Sequence, residues 1–408
     1  MSQFVKNISL PQNWEWCKAQ DYIDIRDGTH DSPKYVEKGY PLVTSKNLIN
    51  GKIDFSTCSF ITKEDHDAIS KRSAVDDGDI LYAMIGTIGN PVIVDKKHEF
   101  SIKNVALFKF KNNRVLNKYI YYFLNSDLTK RQFSSNSRGG TQQFVSLKNI
   151  RDLNIPLPPL PEQQKIASIL EAADSLRQKD QQLIEKYTAL SQSLFLEMFG
   201  DPVSNPMEWN FSRIADLTEG KTLNGFFAKK EHYVESGTPI VWITDFINKI
   251  YVETDDLRRV SIKQDDIYKY KLAYGDVLFC RSSLTVEGIG KCAIVPKSIT
   301  QDVLFECHII KVRLGAQVLP EYFRFLSNTS YFRSKVMKSA KTSTMTTISQ
   351  DGITDILIPI PPIALQNQFA ERIQSIEAQK QLALASLKKS EALFNSLLQR
   401  AFKGELTT

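Results

Sequence analysis

No stretch of the 408-residue chain comes near 18 uninterrupted apolar residues, so the sequence gives no reason to expect a membrane span. Met1 to Leu10 lack the long apolar run of a secretory leader, which makes the cytoplasm the expected compartment. Cysteine is scarce. Its five positions, Cys17, Cys58, Cys280, Cys292 and Cys307, are odd in number, irregularly spaced and free of any C-x-x-C pair, which argues against a disulfide framework and against a zinc site. Cys307 and His308 fall in an apolar alternating stretch, Phe305 to Val312, and are expected to pack in a strand rather than bind a metal.

The glycine motifs that cradle phosphates are missing too. Gly86-Thr87-Ile88-Gly89 has neither the G-x-x-x-x-G-K-[ST] nor the G-x-G-x-x-G context and reads as a hairpin turn, so ATP-driven chemistry is not expected in this chain. Paired prolines, Pro158-Pro159 and Pro361-Pro362, are followed by Leu160 and Ile363. Neither residue can stack on an adenine ring, as an adenine methyltransferase would require. Asp95-Lys96-Lys97 lacks the second acid of a nuclease metal site. The expectation is a chain without catalytic residues, bound cofactor or metal.

What remains is a mildly basic globular protein, net charge +6, whose positive excess sits mainly in residues 1 to 160, with 22 basic against 17 acidic residues. So modest an excess permits nucleic-acid binding without supplying all of its affinity.

The chain is also written twice. Val36-Glu37-Lys38-Gly39-Tyr40-Pro41-Leu42-Val43 recurs as Val234-Glu235-Ser236-Gly237-Thr238-Pro239-Ile240-Val241, an offset of 198. Gly78-Asp79-Ile80-Leu81 recurs as Gly275-Asp276-Val277-Leu278, Ile88-Gly89 as Ile289-Gly290, and Ile155-Pro156-Leu157-Pro158-Pro159-Leu160 as Ile358-Pro359-Ile360-Pro361-Pro362-Ile363. Each copy reads as a β-rich unit followed by one long helix. Strands are predicted at Leu42–Thr44, Asp79–Ala83, Pro91–Val94 and Val105–Phe110, with counterparts near Ile240, Val277, Ala293 and Ile309. Short helices are predicted at Asn117–Asn125 and Pro320–Asn328.

After each proline run the apolar spacing changes to that of a coiled-coil seam: Ile166, Ile169, Ala173, Leu176, Leu183, Tyr187, Leu190, Leu194 and Met198 in the first helix. Phe369, Ile373, Ile376, Leu384, Leu387, Phe394, Leu398 and Phe402 follow in the second. A helix of this kind measures about 57 Å, and pairing would cover both stripes. The second helix follows a whole domain, so an antiparallel pair with a globular unit at either end and a pseudo-twofold axis is expected. Asp180 and Lys380, at the gaps in the stripes, are a candidate polar pair near that axis. The fold class is thus α+β, with domains at 1–160 and 201–361 and helices at 161–200 and 362–408.

Gly139-Gly140-Thr141-Gln142-Gln143-Phe144-Val145-Ser146-Leu147-Lys148-Asn149-Ile150 and Pro161-Glu162-Gln163-Gln164-Lys165-Ile166-Ala167 resemble the central conserved region of the DNA specificity subunits of type I restriction-modification systems, and Leu196-Glu197-Met198-Phe199-Gly200-Asp201-Pro202 resembles the helix exit of the same family. The second copy departs from it, with Leu365-Gln366-Asn367 in place of Glu162-Gln163-Gln164. The resemblance implies two target-recognition domains in tandem, each reading one half of an asymmetric bipartite site in double-stranded DNA. The helices would set the spacer and dock two modification (methyltransferase) subunits. S-adenosylmethionine chemistry would then belong to those partners, and ATP and Mg to the restriction subunits.

Base and phosphate readers are expected in polar loops at strand ends. The first unit offers Arg26, Thr29, His30, Asp31 and Lys34; Thr44, Ser45, Lys46 and Asn47; and Arg138, Thr141, Gln142, Gln143 and Lys148. The second offers Lys221, Thr222, Asn224, Lys229 and Lys230; Thr244 and Asp245; Arg281, Ser282 and Ser283; and Lys341, Thr342, Ser343, Thr344 and Thr346. Gly139-Gly140 would also let the backbone approach a phosphate closely.

Overall fold

The computed structural model describes residues 8–86, 88–110, 114–134 and 144–406. They divide into two compact units, one of residues 1–181 with 384–408 and one of residues 182–383, so each unit takes part of both long helices.

The first unit is built around a four-stranded antiparallel sheet in the order Asp24–Asp27, Val105–Lys109, Ile80–Ala83, Gly89–Ile93. Its two central strands are buried throughout, and their alternation sends successive side chains to different cores. Ile80, Tyr82, Ala106 and Phe108 pack with Tyr119, Ile120 and Phe123 of the helix Asn117–Asn125. Leu81, Ala83, Val105 and Leu107 face the other way, onto Val43, Leu48 and Ile102. That second core is roofed by a three-stranded sheet, Ser59–Ile61, Tyr40–Val43, Ser101–Ile102, whose last pair is parallel.

The second unit repeats the strand order of both sheets. Its four-stranded sheet runs Leu223–Asn224, Ile309–Arg313, Asp276–Cys280, Cys292–Ile294, and its three-stranded sheet Arg258–Val260, Tyr233–Val241, Leu304–Phe305. In each unit a two-stranded ladder, Glu15–Lys18 with Asn154–Leu157 and Phe211–Arg213 with Leu357–Pro359, delivers the chain to the start of a long helix. Those helices are Leu160–Phe199 and Ile363–Ala401.

The proline runs fix both helix starts through matched hydrogen bonds. Tyr119 Oη donates to Pro156 O, and Tyr322 Oη to Pro359 O. Fully buried Gln163 accepts from Leu116 N and donates to Arg114 O and Pro158 O; Gln366 does the same for Leu319 N, Gln317 O and Pro361 O. The departure of Leu365-Gln366-Asn367 from Glu162-Gln163-Gln164 therefore spares the one glutamine that both junctions need. Glu162 does something local to its own copy, accepting from Trp14 Nε1 at 2.8 Å and from Asn13 Nδ2.

Within the first unit the two long helices run antiparallel. The guanidinium of Arg177 lies 5.1 Å from the Phe394 ring centre, while Asp180, farther along the first helix, meets Ser390 and Ser386, which come earlier in the second. Asp180 is buried, and its Oδ2 accepts from Ser390 Oγ at 2.8 Å and Ser386 Oγ at 3.1 Å. The partners expected of Asp180 are thus corrected: two hydroxyls satisfy it rather than the ammonium of Lys380.

The seam of the first helix also differs from its sequence reading. Leu176, Leu183 and Leu190 are exposed, and Leu170, Ser191, Phe195 and Phe199 are buried instead. Each half of the helix turns toward its own globular core: Ile166, Leu170 and Ala173 join Phe394, Leu398 and Phe402, and Phe195 and Phe199 pack on Tyr322 and Phe369, mostly edge to face. Packing against the domains outweighs a strict seven-residue repeat.

Candidate nucleic-acid interface

In the first unit, three segments that are distant in sequence meet at one turn. Gly28 N donates to Val105 O and Thr29 N to Ile102 O, so the chain crosses tightly over the connection Lys103–Asn104. A Cβ on Gly28 would collide with the Ile102 carbonyl, and one on Gly225 with the carbonyls of Phe305 and Glu306, so both copies require glycine here. Asn104 adopts φ +54°, a conformation asparagine tolerates better than most residues. Its carbonyl accepts from Ser45 Oγ at 3.3 Å, and Lys103 Nζ donates to Ser32 Oγ at 2.7 Å. Two of the expected clusters, 29–34 and 44–47, are thereby brought together, with Lys34, Lys46, His30 and Asp31 exposed around them. The turn that joins them was not singled out in the sequence, although an asparagine between two apolar strands was a usable signal.

His30 is the most constrained of these side chains. Nδ1 meets Asn104 Oδ1 at 2.8 Å and Nε2 meets Asp27 Oδ2 at 2.8 Å. Only a ring protonated on both nitrogens can donate to both oxygens. The Asn104 hydrogen bond, followed by that to Asp27, accordingly raises the imidazole above its ordinary 6.5. The stabilisation this gives is complete below 6.5 and is lost as pH rises through the elevated value. An NMR titration should place the His30 midpoint above 6.5, and Asn104→Ala should lower it; an unchanged midpoint in the variant would refute this assignment.

Other candidates are occupied structurally. Arg26 donates from Nε and Nη2 to Asp24 and from Nη1 to Arg72 O, so its guanidinium is committed within the sheet. Asn47 is buried: Oδ1 accepts from Thr44 N and Oγ1, and Nδ2 donates to Asp54 O and Thr57 Oγ1, which leaves no amide edge for a base. Lys148 is exposed on the short helix Leu147–Arg151, while Arg138, Thr141, Gln142 and Gln143 lie outside the described residues.

In the second unit the expected clusters 281–283 and 341–346 form one small antiparallel sheet, Ser282–Ser283 beside Thr346–Thr347 beside Lys341–Thr342. Ser282 and Thr346 are buried within it, whereas Lys341, Thr342, Ser343 and Thr344 are exposed. Arg281 is tied inward, from Nη1 to Cys307 O at 3.1 Å. Lys221, Lys229, Lys230 and Thr244 are exposed, and Thr222 and Asn224 half-buried. Asp245 holds its own turn by accepting from Trp242 N at 2.7 Å. Two exposed features were missed in the sequence: Arg258, stacked 4.0 Å over Trp242, and Leu284.

Cys307 and His308 prove to be turn residues between Leu304–Phe305 and Ile309–Arg313, not part of a continuous strand. Glu306 Oε2 accepts from His308 N at 2.9 Å, a local bond that makes the turn. Burial raises the Glu306 carboxyl, and burial with the neighbouring carboxylate raises the Cys307 thiol. These three are the one His/Cys/acid cluster with metal-ligand spacing among the described residues, but the Arg281 guanidinium bonded to Cys307 O already puts positive charge beside them.

The repeated topology and its differing loops agree with the sequence comparisons. A family model described as "Type I restriction modification DNA specificity domain" matches residues 11–186 and again 206–391. The chain belongs to this family. It is 26% identical over 436 residues to the EcoKI specificity subunit of Escherichia coli K12, covering 98% of this chain and 90% of that protein. A putative MjaX specificity subunit of Methanocaldococcus jannaschii is 24% identical, covering 90% and 88%. The crystal structure of a type I restriction-modification S subunit from M. genitalium shares the fold, with a TM-score of 0.57, 14% identity and coverage of 97% and 96%. No helix among the described residues is long and apolar enough to cross a membrane.

Proposed function

We propose that this chain is the non-catalytic DNA-reading subunit of a type I restriction-modification complex, each unit recognising one half of an asymmetric bipartite site. One observation carries the reading: two copies of a single topology present different chemistry at equivalent places. The turn that holds His30 and Asn104 in the first copy holds Phe227 and His308 in the second. A twofold reader with identical surfaces would favour a palindrome; unlike surfaces favour two unlike half-sites.

The long helices set the gap between half-sites and dock two modification subunits, which use S-adenosylmethionine to methylate adenine. Restriction subunits add the ATP- and Mg-dependent cleavage, and the complex works in the cytoplasm. Hydroxyls and lysines of the loops position the duplex through phosphates, and the remaining polar groups read base edges. Replacing residues 1–155 with those of another family member, followed by methylome sequencing of cells carrying the modification subunits, should change one half of the methylated site and leave the other and the spacer intact. Alteration of both halves, or of neither, would refute the division of labour.

A further inference from the structure

Leu284 is 83% exposed, more than any other large apolar side chain among the described residues. Single exposed apolar residues are ordinary on protein surfaces. Three further observations set this one apart.

The turn that carries Leu284 is stiff. Ser283 Oγ accepts from Thr285 N at 3.2 Å, Gly288 N donates to Thr285 O at 3.2 Å, and Gly290 N returns to Cys280 O at 2.8 Å. Gly288 is buried so tightly against Ser283 that a Cβ there would collide with its hydroxyl. The side chain is therefore held out into solvent, not left on a loose loop.

The turn is also an addition to the repeat. Leu81 and Leu278 are offset by 197 residues and Ile88 and Ile289 by 201, so four extra residues enter here in the second copy alone. Finally, Leu284 directly follows the strand Ser282–Ser283 of the small hydroxyl-rich sheet, next to Thr346–Thr347 and Lys341–Thr342. Threonine, serine and lysine suit phosphates and polar base edges; leucine suits neither.

On the major-groove edge of a base pair the apolar group is the C5-methyl of thymine. We propose that Leu284 reads the C5 position of one pyrimidine in the half-site bound by the second unit, by apolar contact in the major groove. This rests on the DNA-reading function argued above.

The test uses the assembled complex and a duplex carrying the site it methylates in cells. Each thymine is replaced in turn by deoxyuridine, which lacks only the methyl group, and each cytosine by 5-methylcytosine, which gains it. At one position of the second half-site, deoxyuridine should weaken wild-type binding about fourfold, the worth of one methyl-sized apolar group removed from water, or 5-methylcytosine should strengthen it about as much. Leu284→Ala, at an exposed position that leaves the fold intact, should bind the methylated and unmethylated bases alike there. Equal responses of variant and wild type at every position, with the duplex still preferred over unrelated DNA, would overturn the proposal. Loss of that preference in the wild type would instead remove the DNA-reading function on which it stands.

Discussion

Gln163→Ala is expected to destabilise the first unit by about 2–4 kcal/mol, because one fully buried amide serves three backbone groups, the Pro158 carbonyl buried and the other two partly so. Removing it strands the Leu116 N–H and the carbonyls of Arg114 and Pro158 at the point where strand, short helix and long helix converge. Each orphaned group costs about 1–3 kcal/mol, the carbonyls toward the lower end since each has a second lone pair. Gln366→Ala should cost the second unit a similar amount, since Leu319 N, Gln317 O and Pro361 O lose the same partners. Hydrogen exchange resolved by peptide would show the loss in the matching unit. A decrease below about 1 kcal/mol in either would mean the junction relaxes to satisfy itself.

Lys109→Met should be as damaging, for an electrostatic reason. The ammonium is buried and donates to Asp79 Oδ2 at 2.8 Å, Asp76 Oδ2 at 2.7 Å and Ala74 O at 2.8 Å, and the Asp79 side chain is equally enclosed. Breaking one partner of a buried pair costs about 3–5 kcal/mol, chiefly from the charge left behind. The pH dependence distinguishes this from lost packing. Burial already raises the Asp79 carboxyl, against the opposing pull of Lys109, and without the lysine it should rise further. A carboxylate raised in the folded state takes up protons on folding, so the variant's deficit should shrink as pH falls through the raised value. Urea titrations at descending pH that show a constant deficit would contradict this. The second unit solves the same problem differently, with buried Asp276 gripped by Arg313 Nε at 2.8 Å and Nη2 at 3.0 Å.

The duplication, the strand and helix types and the two junctions were readable from the sequence because they depend on local chemistry. The continuous apolar runs at Ile80–Ala83 and Val105–Phe108 call for strands buried on both faces, and a proline run can precede a helix but not continue one. The candidate interface was readable only as clusters. Nothing local distinguishes Asn47, which spends its amide on a turn, from an asparagine free to meet a base. Arg26 was legible in part, since Asp24 two residues earlier takes its Nε and Nη2, but its third partner, Arg72 O, lies 46 residues away.

By itself the sequence determined that this protein is one architecture used twice, and that its loops are where the copies diverge. Tertiary structure decided which of those loops converge, which polar side chains are already spent within the fold, and which face each long helix buries. The reason is physical. Periodicity and backbone stereochemistry act over a few neighbouring residues, whereas hydrogen-bond satisfaction and burial are settled by groups far apart in the chain.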